Sequence, residues 1–214
     1  MLQLPAVVNA RTKPVVLSLS TLYFLGLYLL TNRFHLGTPQ LLPFSWVDSH
    51  APFCGWTIWV YTSAYAGIML GFWGSQDSRN INRLFYGFIT LVTVSVTVFF
   101  FWPTTFPRAD FPTPTGLDPL THFAWEMTRT VDSPTNCFPS LHVSACFLVS
   151  FVYLHEQRKK GAFFLSWSTM VGASTLTTKQ HYVADVISGL FLAIAIHWVF
   201  RAYVEIQDRP ESRE

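Results

Sequence analysis

Charge is what this sequence has least of. Only 12% of its 214 residues are Asp, Glu, Lys or Arg, against about 25% in an ordinary soluble domain, while 50% are hydrophobic. So few charges cannot coat a water-facing globule of this size, which points to lipid as the surrounding medium. Nucleic acid is not an expected partner, because the net charge is +2 and the chain has no basic tract or RNA-binding signature. Three cysteines are too few for a disulfide framework. Internal repeats and mid-membrane charges, the marks of a transporter with broken helices, are missing too.

What is present is a series of apolar runs. A helix needs roughly 20 residues to cross a hydrocarbon core of about 30 Å. Six runs approach that length, at residues 14–31, 55–73, 84–102, 140–154, 162–177 and 183–200. The fourth and fifth are short and polar enough to read also as buried helices of a soluble protein. The other four carry the membrane reading. The expectation is an all-α chain with one domain over residues 1–214, a single bundle of six transmembrane helices. Arg11 and Lys13 ahead of the first run would also suit a cleavable signal. No small-x-small site follows Leu30, so an anchor is expected instead.

Six spans put both termini on one face, together with the loops 75–83 and 155–161. That face holds ten of the 14 Lys and Arg residues, among them Arg79, Arg83 and the run Arg158, Lys159, Lys160. The positive-inside rule then places both termini in the cytoplasm of a plasma or inner membrane. The opposite face, towards periplasm, exterior or lumen, carries long connections at 32–54 and 103–139 and a tight one around Lys179 to Tyr182. In the second, Asp118 and Pro119 read as N-cap and first helical residue. Leu120, Ala124, Met127 and Val131 follow at helical spacing. This predicts a short interfacial helix between the third and fourth spans, with Trp125 at headgroup depth. Cys54 and Cys137 both fall on this face, where a disulfide would persist, and form a candidate pair; Cys146 reads as packing.

Ionisable side chains within spans are costly and mark function. They collect at two outer ends. Phe138-Pro139-Ser140-Leu141-His142 opens the fourth span, and Lys179-Gln180-His181-Tyr182-Val183-Ala184-Asp185 opens the sixth. His181 and Asp185, four apart, share a helix face on which the carboxylate can hold one imidazole nitrogen and leave the other to attack. His142, from another helix, can protonate a leaving oxygen. Arg108 and Lys179 are the nearest cations for a phosphate. Ser140 adds a hydroxyl beside the amides of a helix N-terminus. Zinc or manganese would also suit histidine and carboxylate. A dinuclear site would require more carboxylates than Asp185 with Asp110 or Asp132, so no metal is expected. Taken singly, His142 also reads as a satisfied intramembrane histidine, and His181 with Asp185 as a helix-end contact. His35, His50 and His122 read as solvated loop residues, and His197 as a helix-to-helix contact.

These residues resemble the type 2 phosphatidic acid phosphatase superfamily of membrane lipid phosphatases and phosphotransferases. Pro139-Ser140-Leu141-His142 is similar to its second motif, Pro-Ser-Gly-His, with leucine in place of glycine, which implies that His142 is the general acid. His181 and Asp185 match the third motif as nucleophile and orienting carboxylate. The first motif pairs a lysine with a later Arg-Pro; here the stretch from Trp102 to Arg108 supplies only Arg108. The third normally opens with Ser-Arg; here Ser174 and Thr175 stand there, leaving Lys179 as the substitute cation. His181-Tyr182-x-x-Asp185 is similar to the branch containing sphingomyelin and inositol phosphorylceramide synthases, as is the stretch 48–53. The resemblance implies a six-span core, membrane lipids as partners, a lipid phosphate or phosphodiester substrate, a phosphohistidine intermediate and no metal or cofactor. Water as acceptor would make a phosphatase, and a lipid or sugar hydroxyl a head-group transferase. A transporter and a noncatalytic lipid-binding scaffold are the alternatives from other classes.

Overall fold

The computed structural model describes residues 1–132 and 134–207. The described elements run β1 (Leu2–Pro5), α1 (Lys13–Arg33), β2 (Gln40–Leu41), α2 (Trp46–His50), α3 (Ile58–Gly74) and α4 (Ser78–Phe101). They continue as β3 (Thr104–Thr105), α5 (Pro119–Val131), α6 (Leu141–Glu156), α7 (Arg158–Thr177), α8 (Val183–Tyr203) and β4 (Val204–Gln207). A helix therefore stands at each of the six apolar runs. By length and composition, α1, α4 and α8 can cross a membrane, and α6 is a shorter apolar helix. Local signals set the boundaries: Asp77 caps α4 by accepting from the Asn80 amide at 2.7 Å, and Asp118 caps α5 through the amides of Leu120 and Thr121.

The hydrophobic pattern is turned outward. Leu22, Leu25 and Leu29 on α1 and Phe191, Ile194 and Trp198 on α8 are exposed, and only 22% of the most apolar window of either helix is buried. Such a surface suits lipid and not water. At the centre lies α6, packed against α3, α4, α7 and α8 and buried on nearly every side from Leu141 to Tyr153. An encased helix meets protein instead of lipid, which is why its serines are tolerated. Ser150 bonds Ser168 of α7 at 2.8 Å, and the Tyr153 hydroxyl donates to the Gly71 carbonyl of α3 at 2.8 Å.

The first and last described strands lie on one face. Strand β1 pairs in parallel with β4, Leu2 opposite Val204, and buried Asn82 holds the adjoining segment through the amides of Val7 and Val8 and the carbonyl of Val8. The 21 residues of α8 span about 30 Å, so its first turn stands at the far end of the bundle from β4. Loops there are tied by the parallel pair β2–β3.

Two expectations fail in this region. The face of α5 that packs inward carries Thr121, Ala124, Trp125 and Thr128, while Leu120, Met127 and Val131 point out. Trp125 is fully buried instead of lying at an interface, because Gly55 offers its indole N–H a carbonyl at 2.9 Å and Phe53 packs edge-on against its ring. The three cysteines are free; the Cys137 thiol donates to the Pro134 carbonyl at 3.0 Å instead of meeting Cys54.

One glycine lets α8 approach the start of α6 closely. A Cβ on Gly189 of α8 would stand 2.6 Å from the Ser140 carbonyl at the start of α6, a backbone atom that cannot swing aside. Gly189→Val should therefore destabilise the fold by about 1–3 kcal/mol, as overpacking does. Thermal unfolding in detergent would read this as a lowered midpoint.

Candidate active site

Two helix starts meet at the end of the bundle opposite the termini. Ser140, fully buried, is the N-cap of α6, its hydroxyl oxygen accepting from the Val143 amide at 3.4 Å. Its own amide donates to the Asp185 carbonyl in the first turn of α8 at 3.1 Å. Between α7 and α8 the chain turns tightly: the Thr175 carbonyl accepts from the amides of Gln180 at 3.0 Å and His181 at 3.3 Å. Lys179 takes a left-handed φ of 51°, unusual for a side-chain-bearing residue, to complete that turn.

These turns bring His142 and His181 together, with ring centroids 6.2 Å apart and ring planes inclined at 62°. His181 is 5% exposed and Asp185 is fully buried, with Nδ1 of the histidine 3.2 Å from the carboxylate. The same carboxylate oxygen accepts from the Tyr182 amide at 2.9 Å. A carboxylate only accepts, so the shared hydrogen belongs to Nδ1 and the lone pair of His181 is left on Nε2. Asp185 Oδ1 has no partner among the described residues, a costly state for a buried oxygen that is found where a site serves chemistry before stability.

Beside His142 lies a polar network that the sequence reading does not assemble. Asp132, just past α5, is buried and accepts from three side chains: Tyr28 of α1, Tyr61 of α3 at 2.8 Å and Arg108 at 3.2 Å. Arg108 also donates to the Asp132 backbone carbonyl. Burial by itself would push the Asp132 carboxyl up, but Arg108, the neighbouring His142 and the bonds from Tyr28 and Tyr61 outweigh it and hold the group below the usual carboxylate range. Tyr61 passes the network on, its hydroxyl 3.4 Å from Nδ1 of His142. The Tyr65 hydroxyl stands 3.1 Å from Nε2 of the same ring. Sequence alone holds one hint of this, since Tyr61 and Tyr65 are four apart and share a helix face.

His142, His181, Asp185 and Ser140 are thus assembled, and Arg108 joins them through Asp132 and Tyr61. Lys179 is placed differently. Its ammonium donates to the carbonyls of Asp48 at 2.9 Å and Ala51 at 2.8 Å, 5.2 Å from the Phe111 ring centre. Asp48 completes this strap by accepting from the Val183 amide at 2.8 Å and the Ser45 amide at 2.8 Å. Ligand atoms of Cys137, His181 and Asp185 lie within 4.8 Å of one another and form the one metal-like grouping among the described residues. Burial pushes the Cys137 thiol well above its ordinary range, with the charge of Asp185 adding to this, and the protonated thiol donates to the Pro134 carbonyl.

The sequence profile of the PAP2 superfamily matches residues 25–199. The chain belongs to that superfamily. The match contains every residue of the site, from Tyr28 to Asp185, and leaves out β1, the first half of α1, the end of α8 and β4. PAP2 superfamily members are phosphatases and phosphotransferases, so this chain is an enzyme of phosphatase type. No individual curated protein gives a significant match.

The Asp48 strap is open to test. Asp48→Ala leaves two backbone amides without acceptors, one of them at the mouth of the site. It should cost about 1–3 kcal/mol, measured as a lower melting temperature and faster proteolysis near residues 46–51.

Proposed function

We propose that this chain is an integral-membrane lipid phosphate phosphatase that cleaves a phosphoester through a phosphohistidine on His181. One observation carries the lipid part of this reading. A cavity of about 240 Å³ runs between α1, α3, α4 and α6 and ends on His142. Its walls are Phe24, Leu25, Ile68, Met69, Phe88 and Val92, with Tyr28 and Tyr65 at the catalytic end. Hydrocarbon is the cargo such walls favour, and the polar end holds a headgroup against His142.

The chemistry follows from where the protons are held. Nε2 of His181, with Nδ1 bound to Asp185, attacks phosphorus. His142 gives a proton to the leaving lipid oxygen as the P–O bond breaks. Water then attacks the phosphohistidine, His142 takes its proton, and phosphate leaves. The Ser140 hydroxyl hydrogen and the α6 amides face the nonbridging oxygens, with Arg108 supplying charge behind them. Lys179 keeps one N–H beyond its two carbonyl bonds for the same purpose. No step uses a metal. Six spans, cytoplasmic termini and an outward-facing site complete the reading. It rests on the charge bias of the loops, and for the last two also on the pairing of β1 with β4 at the face opposite the histidines.

A second reading has its own support. The burial of His181 and Asp185 and the His181-Tyr182-x-x-Asp185 pattern suit an enzyme that keeps water from the phosphohistidine and passes the phosphoryl group to a hydroxyl acceptor. Incubation with phosphatidic acid, prenyl phosphate or phosphatidylinositol, with and without ceramide, separates the two: free phosphate marks the phosphatase, and a new phospholipid marks the transferase.

His181→Ala and Asp185→Asn should each lower turnover by at least about 100-fold with an unchanged melting profile, and full activity in His181→Ala would end the mechanism. Chelators should leave the rate unchanged. Ile68→Trp, which narrows the cavity, should raise KM for a long-chain substrate several-fold while a short-chain analogue is turned over as before.

A further inference from the structure

We infer that Asp132 is a positioning residue that acts through Tyr61 to decide which nitrogen of His142 exchanges the proton. This rests on the reading of His142 as general acid and adds a second carboxylate to the machinery. The hydrogens available fix the tautomer of His142. Tyr61 has one hydroxyl hydrogen, and the Asp132 carboxylate, which can only accept, takes it at 2.8 Å. The Tyr61 oxygen therefore faces His142 with lone pairs alone. The Nδ1 atom 3.4 Å away must carry hydrogen, and the rings lie 4.5 Å apart between centroids at 34°, which fixes the imidazole plane. The exchangeable site is then Nε2, which faces the Tyr65 hydroxyl at 3.1 Å and the apolar cavity.

The remaining contacts of Asp132 serve this arrangement. Tyr28 and Arg108 occupy its other lone pairs, and Arg108 also holds its backbone carbonyl, so the carboxylate can neither rotate nor take up a proton cheaply. The two histidines are thereby treated alike. Asp185 holds Nδ1 of His181 directly, and Asp132 holds Nδ1 of His142 across one hydroxyl, leaving both Nε2 atoms for the phosphorus. In the first step the Nε2 hydrogen of His142 passes to the leaving oxygen, which keeps the electron pair of the broken P–O bond. In the second, the same Nε2 lone pair takes a proton from water while its oxygen bonds phosphorus and the P–N pair returns to His181. A carboxylate behind Tyr61 stabilises the imidazolium present before the first step and after the second.

Leaving-group dependence is the test, with the full chain in detergent. An alkyl phosphate needs a proton on its leaving oxygen, whereas a nitrophenyl phosphate does not. Tyr61→Phe and Asp132→Asn should slow the first turnover of an alkyl phosphate by about 10- to 100-fold, the usual effect of losing an outer partner. The nitrophenolate burst should stay within about threefold. Equal losses on both substrates, or no loss on either, would overturn the inference. Asp132→Asn leaves Arg108 without its counter-charge in a buried site, so its folding is checked by melting. Tyr61→Phe, which removes one hydroxyl and no charge, decides the outcome if Asp132→Asn does not fold. His181→Ala separates this inference from the reading beneath it, because a burst surviving in that variant would overturn the phosphohistidine itself.

Discussion

The hydrogen bond from the Ser140 amide to the Asp185 carbonyl, 3.1 Å long, is the constraint on which the site depends. It joins the first turns of α6 and α8, helices that start 42 residues apart in sequence, and brings His142 and the His181 that precedes α8 to within 6.2 Å. Gly189 permits it, because any side chain there would strike the Ser140 carbonyl. Ser140 caps one helix and docks the other. Its burial is thus a matter of backbone bookkeeping as much as of chemistry.

Around that joint the bundle sorts its polarity by neighbour. Helices α1 and α8 present leucine, isoleucine and phenylalanine outward, while α6 keeps its serines where other helices supply partners. A polar group in lipid has no water to fall back on, so pairing inside and placement at a helix end are the favoured solutions, with Ser95 Oγ of α4 a buried exception. Asp132 shows the first solution at its most crowded, with two tyrosines and an arginine on one carboxylate. Lys179 shows another, its charge neutralised by backbone carbonyls and used as a strap across the site. Thr175 stands at the end of α7 where the resemblance implies an arginine, and Lys179, four residues on, holds the 46–51 segment.

Much of this was legible in the sequence. Apolar runs locate the helices because lipid demands long, uncharged stretches. The spacing of His181 and Asp185 pairs them as expected, although His181 stands two residues ahead of α8 and not on its face: the turn capped at Tyr182, whose amide the same carboxylate accepts, makes the contact local. The Asp118 cap is a similarly local signal. The inward face of α5 was not legible: of the residues at helical spacing, Leu120, Met127 and Val131 face out and only Ala124 packs inward, beside Thr121, Trp125 and Thr128. The cysteines on one face also proved uninformative, because sharing a face sets no distance between two thiols.

What the sequence by itself determined is the helices, their order and the paired residues within each helix end, all of them products of local spacing and composition. Only the tertiary structure decided how those ends meet. The joining of Asp132 to His142 through Tyr61 runs across 71 residues of chain between aspartate and tyrosine and a further 81 between tyrosine and histidine. No periodicity records contacts at that range. They exist because a buried carboxylate must find its donors wherever packing brings them, and packing is a property of the whole bundle.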